Sequence, residues 1–310
     1  ISGRAKAAID KYGKDQVINA TIGTLLDDEG NIIVLESVDK AMKSLSPAEY
    51  ASYAPIAGVP AFKEAIKKAA LGNFQTRRHV GVVASPGGTG SLRNAVANFT
   101  CPGDKVLTHD WHWTTYDSIA VEQGRTVETF DMFNDKGEFN LEDFEYKVSK
   151  LLRIQDRVLI ILNTPANNPT GYSLSDEEWQ QVVAILNKTG DDKTVALCVD
   201  VAYIDFAGET DETRTFLPYL EQLNSNIMPL LAYSASKTFT FYGCRSAVLM
   251  CLAETEEEKE EFERAVTFSS RNSWSNSPRG PQEVIAKIYQ DPELLEKVDK
   301  ERKAFRDMLL

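Results

Sequence analysis

Ser234-Ala-Ser-Lys-Thr-Phe-Thr-Phe-Tyr-Gly-Cys-Arg245 lies between two apolar runs, Met228-Pro-Leu-Leu-Ala-Tyr233 and Ser246-Ala-Val-Leu-Met-Cys-Leu252. Each run has the length and composition of a buried strand. The segment therefore places a lysine, Lys237, at the end of a strand. Two serines flank it, and an arginine, Arg245, follows eight residues later (245 − 237). Burial and a neighbouring cation lower a lysine pKa and release the amine for Schiff-base chemistry on a carbonyl. Arginine and serine hydroxyls suit a phosphate. A phosphorylated aldehyde, pyridoxal phosphate, wants both. A lone Ser-x-x-Lys is more often a solvated loop lysine, so the surrounding chain has to carry the reading.

Outward from this segment, strands and helices alternate. Val80-Gly-Val-Val-Ala84 reads as a strand, Pro86-Gly-Gly-Thr-Gly90 as the turn after it, and Ser91 to Phe99 as a helix. Val106-Leu-Thr and Thr126-Val-Glu-Thr-Phe130 are short strands. Val158-Leu-Ile-Ile-Leu162 and Thr194-Val-Ala-Leu-Cys-Val199 are fully apolar, as expected of parallel strands covered on both faces. Asn140 is a candidate helix N-cap, and Ser175 with Glu178 forms a capping box. Phe62, Ala65, Ile66 and Ala69 mark one face of an earlier helix. Residues 3–13, 37–44 and 291–310 read as helices, and 17–23 as extended chain ending in a turn. The alternation predicts an α/β fold with a mostly parallel sheet sandwiched by helices, whose ligands gather at the carboxyl ends of the strands.

Candidate polar groups fall where such a site should be. Asp200 directly follows a buried strand and suits the pyridine nitrogen of the cofactor; a turn cap is the ordinary alternative. Tyr203 and Asn168 suit its phenolate oxygen, although a half-buried tyrosine and a turn asparagine are common. Gly87-Gly-Thr-Gly90 opens a helix after a strand, where backbone N–H groups favour an anion, but it matches neither the dinucleotide fingerprint nor the P-loop. Trp111 suits stacking on a flat ring, with core packing the default. His109 and His112 are three apart without an acidic third ligand, so no metal site is expected.

Net charge −12 and the lack of a basic helical face argue against a nucleic-acid partner. No apolar run approaches the roughly 20 residues that span a bilayer, and no signal peptide opens the chain. The four cysteines lack metal or redox spacing and read as reduced residues of a cytoplasmic protein. The acidic run Glu254 to Glu263 reads as a solvated helix face. A first residue other than Met, and an end inside a helix, favour a truncated sequence.

Asn163-Thr-Pro-Ala-Asn-Asn-Pro-Thr-Gly171, Asp200-Val-Ala-Tyr203 and Ser234-Ala-Ser-Lys237 through Arg245, in this order and spacing, resemble the class I aminotransferases of PLP fold-type I, near the aspartate and aromatic amino acid enzymes. The resemblance extends from the Ile22-Gly23 loop to Arg271-Asn-Ser-Trp-Ser-Asn276. It implies a seven-stranded-type sheet with a smaller α/β domain only partly present. Residues 1–48 would form an N-terminal arm and the start of the small domain, 49–290 the large PLP-binding domain, and 291–310 the start of an interdomain helix. Lys237 would join the cofactor and move the proton, Asp200 would face the pyridinium, and Tyr203 with Asn168 the phenolate. Gly88, Thr89, Ser234, Ser236 and Arg245 would form the phosphate cup, and Trp111 would stack on the ring. Tyr53 would reach the phosphate of a neighbouring subunit and Arg271 the distal end of its substrate, which implies a homodimer. Gly23 falls in the loop over the substrate. The chain ends 73 residues past Lys237 (310 − 237), short of where the resemblance puts the arginine for the substrate α-carboxylate, so that residue is not named.

The function expected is transfer of an amino group between an aspartate or aromatic amino acid and a 2-oxo acid, with glutamate as the shared donor. The rivals are a β-elimination C–S lyase on the same fold and a non-catalytic ligand-binding module.

Overall fold

The computed structural model describes residues 2–18 and 23–309; the predicted extended segment 17–23 falls largely outside them. Two compact units, 1–34 and 35–310, are described separately. The first holds helix α1 (Ser2–Tyr12), a 3₁₀ turn (Lys14–Gln16) and a tight turn in which Asp27 accepts a hydrogen bond from the Asn31 backbone N–H at 2.7 Å. Gly23 belongs to this unit.

The second unit begins with α2 (Glu36–Lys43), α3 (Pro47–Ala51) and α4 (Pro60–Leu71). Strands and helices then alternate: β1 (His79–Ser85), α5 (Gly87–Phe99), β2 (Lys105–His109), α6 (Thr115–Glu122), β3 (Thr126–Phe130), α7 (Leu141–Leu152), β4 (Arg157–Asn163), α8 (Asp176–Leu186) and β5 (Thr194–Asp200). After the short helices α9 (Thr210–Thr213) and α10 (Leu217–Leu220) come β6 (Ile227–Ser234), α11 (Ala235–Thr238) and β7 (Ala247–Ala253). Three helices close the unit: α12 (Glu256–Ser273), α13 (Arg279–Gln290) and α14 (Pro292–Leu309).

The seven strands form one sheet in the order β1-β7-β6-β5-β4-β2-β3. The pairs β2–β3, β2–β4, β4–β5 and β5–β6 are parallel, while β7 runs antiparallel to both its neighbours. This is the mostly parallel α/β sheet that the alternation predicts.

Side chains on a strand alternate between faces, and here both faces are buried. Val158, Ile160, Leu162, Val195, Leu197, Val199, Leu231 and Tyr233 pack into one layer with α4, α7, α8 and α13. Leu159, Ile161, Ala196, Cys198, Leu230 and Ala232 pack into the other with residues of α5, α6 and α12. The same alternation decides where the site lies. Asn163, Asp200 and Ser234, the last residues of β4, β5 and β6, continue the second set and emerge on the side of α5 and α6. Register keeps them together, because Asn163 pairs with Asp200, Asp200 with Ala232, and Ser234 with Ala247.

The structure corrects one boundary. The helix placed at Ser91 begins at Gly87, so the glycines read as a turn form its first turn. Pro86 stands at the N-cap and Gly87 has φ 76°, which glycine adopts without a Cβ penalty. Asn140 caps α7 by accepting from the Asp143 backbone N–H, and Ser175 and Glu178 form the capping box of α8. In the acidic run, Glu263 departs from a purely solvated face: it pairs with Lys63 at 2.7 Å and accepts from the Val82 backbone N–H.

Candidate active site

Asp200 is buried at the carboxyl end of β5. Its Oδ2 accepts a hydrogen bond from the Tyr116 hydroxyl at 2.7 Å, and its Oδ1 accepts from the Ala202 backbone N–H at 3.2 Å. Both donors are neutral, and no cation among the described residues forms an ion pair with it. Burial pushes its carboxyl up to about 6, against the opposing pull of the Tyr116 and Ala202 bonds. Such a carboxylate is placed to welcome a cation.

Asn163 stitches the neighbouring loop to this strand. Its Nδ2 donates to the Asp200 carbonyl at 2.8 Å, and its Oδ1 accepts from the Asn168 backbone N–H at 2.7 Å. Asn168 is thereby held beside the end of β5. In the same loop Asn167 Nδ2 donates to His109 Nε2 at 3.2 Å, which leaves the proton of the neutral imidazole on a buried Nδ1 with no partner among the described residues. Burial, then His112, lowers the His109 pKa to about 4.

Lys237 sits in the four-residue helix α11, directly after β6. Its Nζ lies 5.6 Å from the centre of the Tyr203 ring and 5.0 Å from that of Tyr242. Burial lowers its pKa, and the Arg245 guanidinium lowers it further. Burial also raises the pKa of the Tyr203 phenol, as do the charges of Asp200 and Tyr242. Lys237, Tyr203 and Asp200 thus form one electrostatic group.

The anion-binding set stands beside it. Arg245 has φ 53°, and its Nη1 donates to Ser236 Oγ and to the Tyr242 carbonyl, both at 3.1 Å. Its guanidinium lies against Gly87: a Cβ there would sit 2.1 Å from Nη2. Ser234 Oγ accepts from the Ser236 backbone N–H at 3.2 Å and lies close to Gly88. The first turn of α5, with its unpaired N–H groups, therefore meets an arginine and two serines at the mouth of the sheet.

The structure brings Lys237, Asp200, Tyr203, Asn168, Gly88, Thr89, Ser234, Ser236 and Arg245 to the carboxyl ends of β1, β4, β5 and β6 and the amino end of the antiparallel β7. The remaining candidates are exposed. Trp111 is half exposed on the loop after β2, Tyr53 is 87% exposed, and Arg271 is exposed near the end of α12, where its Nη1 donates to Ser275 Oγ at 2.8 Å. Gly23 is an exposed residue of the first unit. Three residues escaped the sequence reading. Tyr116 lies 84 positions from the carboxylate it bonds, and nothing in its local sequence marks it. Asn163 stood inside the quoted motif without a role. Gly87, rather than Gly88, is the glycine whose missing side chain the packing requires, and a positive-φ glycine directly after Pro86 was the available signal.

Residues 15–309 match the family model "Aminotransferase class I and II". The chain belongs to the class I and II aminotransferases. As a member of that family it is a transferase. This aminotransferase is 27% identical over 284 residues to an aromatic-amino-acid aminotransferase of Paracoccus denitrificans, covering 89% of this chain and 69% of that one. It is 29% identical over 300 residues to a mitochondrial aspartate aminotransferase of Schizosaccharomyces pombe, covering 93% and 66% respectively. Among solved structures it superposes on an aminotransferase of Anaerococcus prevotii with a TM-score of 0.95 at 37% identity, over 99% of this chain and 76% of that one. It shares its fold, with a TM-score of 0.85 at 22% identity, with an aromatic-amino-acid aminotransferase of Burkholderia pseudomallei solved with pyridoxal phosphate covalently bound; the superposition covers 99% of this chain and 76% of that one.

Proposed function

We propose that this aminotransferase uses pyridoxal phosphate to move an amino group between an α-amino acid and a 2-oxo acid, with Lys237 as the reacting amine. The observation that carries the reading is the meeting, at the carboxyl ends of β5 and β6, of a partly buried low-pKa lysine, a buried carboxylate with neutral partners, and an arginine packed on a helix-opening glycine. The donor set fits the cofactor. Gly88, Thr89, Ser234, Ser236 and Arg245 would hold its phosphate, Asp200 its ring nitrogen, Tyr203 and Asn168 its phenolate oxygen, and Trp111 its ring face.

When bound, the cofactor supplies an aldehyde and an electron-withdrawing cationic ring, which acidify the α-proton of an amino acid. The protein does the rest. Lys237 Nζ takes that proton and returns it on the other side of the reaction, and its lowered pKa keeps a larger neutral fraction at neutral pH. Buried Asp200 holds the positive charge that the ring must carry, and Tyr116 and Ala202 orient the carboxylate.

The substrate pair is an aspartate or aromatic amino acid with glutamate and 2-oxoglutarate, in keeping with the named relatives. Tyr53 and Arg271, exposed in the single chain, are read as contributions to a second subunit's site in a homodimer. The division at residues 48 and 290, Gly23 as a substrate-loop residue and the cytoplasmic setting belong to the same proposal. Turnover of aspartate, tyrosine and glutamate with 2-oxoglutarate tests it. Formation of the matching 2-oxo acid together with glutamate supports the reading, whereas ammonia and pyruvate released without an acceptor would make the protein a lyase.

A further inference from the structure

Behind Lys237, on the sheet face away from α5, lies a buried polar cluster that the reaction does not use. Its hub is Asp205, on the loop after β5 and two residues past Tyr203. Asp205 Oδ2 accepts hydrogen bonds from the Thr238 and Tyr233 hydroxyls, each at 2.7 Å. Its Oδ1 accepts from Arg214 Nη2 at 2.6 Å, and the same nitrogen donates to the Ala69 carbonyl of α4 at 2.7 Å. Burial would raise the Asp205 carboxyl, but Arg302 of α14, Arg214 and the two hydroxyls hold it down to about 2. The carboxylate is therefore charged at neutral pH.

The placement of the two hydroxyls gives the cluster its meaning. Thr238 immediately follows Lys237, and Tyr233 precedes it by four residues, so both ends of the lysine's turn are tied to one side chain. Helix α11 spans four residues and has little internal hydrogen bonding to hold itself. The same side chain belongs to the loop carrying Tyr203, whose ring lies beside Lys237 Nζ. A buried ion pair is weak evidence for stability, since apolar residues of similar volume often serve as well. A device that fixes one turn against one loop accounts for the pattern of donors better.

We propose that Asp205 is a positioning residue for Lys237: by accepting from Thr238 and Tyr233 it fixes the turn that presents the amine to Tyr203 and Asp200. The proposal rests on Lys237 as the reacting amine, and its test is read without the cofactor. Arg245, Tyr203 and Tyr242 are among the titratable and charged groups that face the amine.

The experiment follows acylation of Lys237 by an amine-directed reagent across pH in the cofactor-free full chain, quantified by mass spectrometry of the Lys237 peptide. Thr238→Val keeps the shape and removes the donor, whereas Thr238→Ser keeps the hydroxyl. Loosening the turn lets the amine reach water, so Thr238→Val is expected to move the midpoint up by about one unit, which is about tenfold lower reactivity below it. Thr238→Ser is expected to track the wild type. Tyr233→Phe removes the second hydroxyl and is expected to shift the midpoint in the same direction; it decides the matter if Thr238→Val does not fold. A midpoint that stays put, even with a lower melting temperature, overturns the proposal, as does a Thr238→Ser shift equal to that of Thr238→Val. Failure of pyridoxal phosphate followed by borohydride to tag position 237 would instead overturn the reading of the lysine.

Discussion

Replacing Tyr116 by Phe removes one oxygen from a buried site and leaves the Asp200 carboxylate with the Ala202 backbone N–H as its remaining donor. A hydrogen bond to a charged group contributes about 1.5–3 kcal/mol. At 1.36 kcal/mol per pKa unit, that loss carries the Asp200 carboxyl from about 6 up by about one to two units. The sign of the effect follows from linkage. A carboxyl whose folded pKa lies above its unfolded value binds more protons in the folded state, so stability falls as pH rises between the two. In the wild type that fall runs from the ordinary value of 3.8 to about 6 and is then complete. In Tyr116→Phe it continues to about pH 7–8. Urea unfolding of the cofactor-free chain at pH 5, 6, 7 and 8 measures it: the gap between variant and wild type should widen by about 1.5–3 kcal/mol from pH 5 to pH 8. A gap constant over that range would refute the claim that the phenol governs this carboxylate.

His109, held neutral with a pKa of about 4, works in the opposite sense: the unfolded chain binds the extra proton between pH 4 and the ordinary 6.5, so stability rises with pH there by about 3 kcal/mol. His109→Gln should abolish that rise and leave the Asp200 decline exposed, seen as unfolding free energies that fall from pH 4 to 6 where the wild type is nearly flat. Gly87→Ala puts a Cβ 2.1 Å from Arg245 Nη2 at a φ of 76°, and should cost about 1–3 kcal/mol in thermal melts of the cofactor-free chain. Gly88→Ala, whose Cβ meets Ser234 at an ordinary 3.5 Å, should be close to neutral; equal losses would contradict the packing described. Lys237→Ala should keep the fold by circular dichroism while amino-group transfer drops at least about 10²-fold, and undiminished turnover would remove Lys237 from the mechanism.

The sheet was legible because β4, β5 and β7 are nearly unbroken apolar runs, a pattern that a strand buried on both faces imposes on its own sequence. Lys237 and Asp200 could be found for the same reason, since each follows such a run and strand ends are where an α/β sheet exposes its chemistry. Tyr116 and Asp205 could not. The bonds of Tyr116 to Asp200, and of Asp205 to Thr238, join positions 84 and 33 apart in sequence; the first exists only once α6 packs over β5, the second only once β5 and β6 lie side by side. The start of α5 falls at Gly87 rather than Ser91, because a Pro-Gly-Gly turn and a helix that starts on glycine have the same local composition. Tyr53 and Arg271 came from resemblance, and the single chain leaves both exposed.

The proposed mechanism requires the Lys237 amine to be the group that joins the aldehyde. Incubating the purified chain with pyridoxal phosphate, reducing with borohydride and mapping the peptides by mass spectrometry tests this directly. The result predicted is one stable phosphopyridoxyl adduct per chain, on Lys237, absent from Lys237→Ala. Labelling spread over surface lysines, with position 237 untouched, would contradict it.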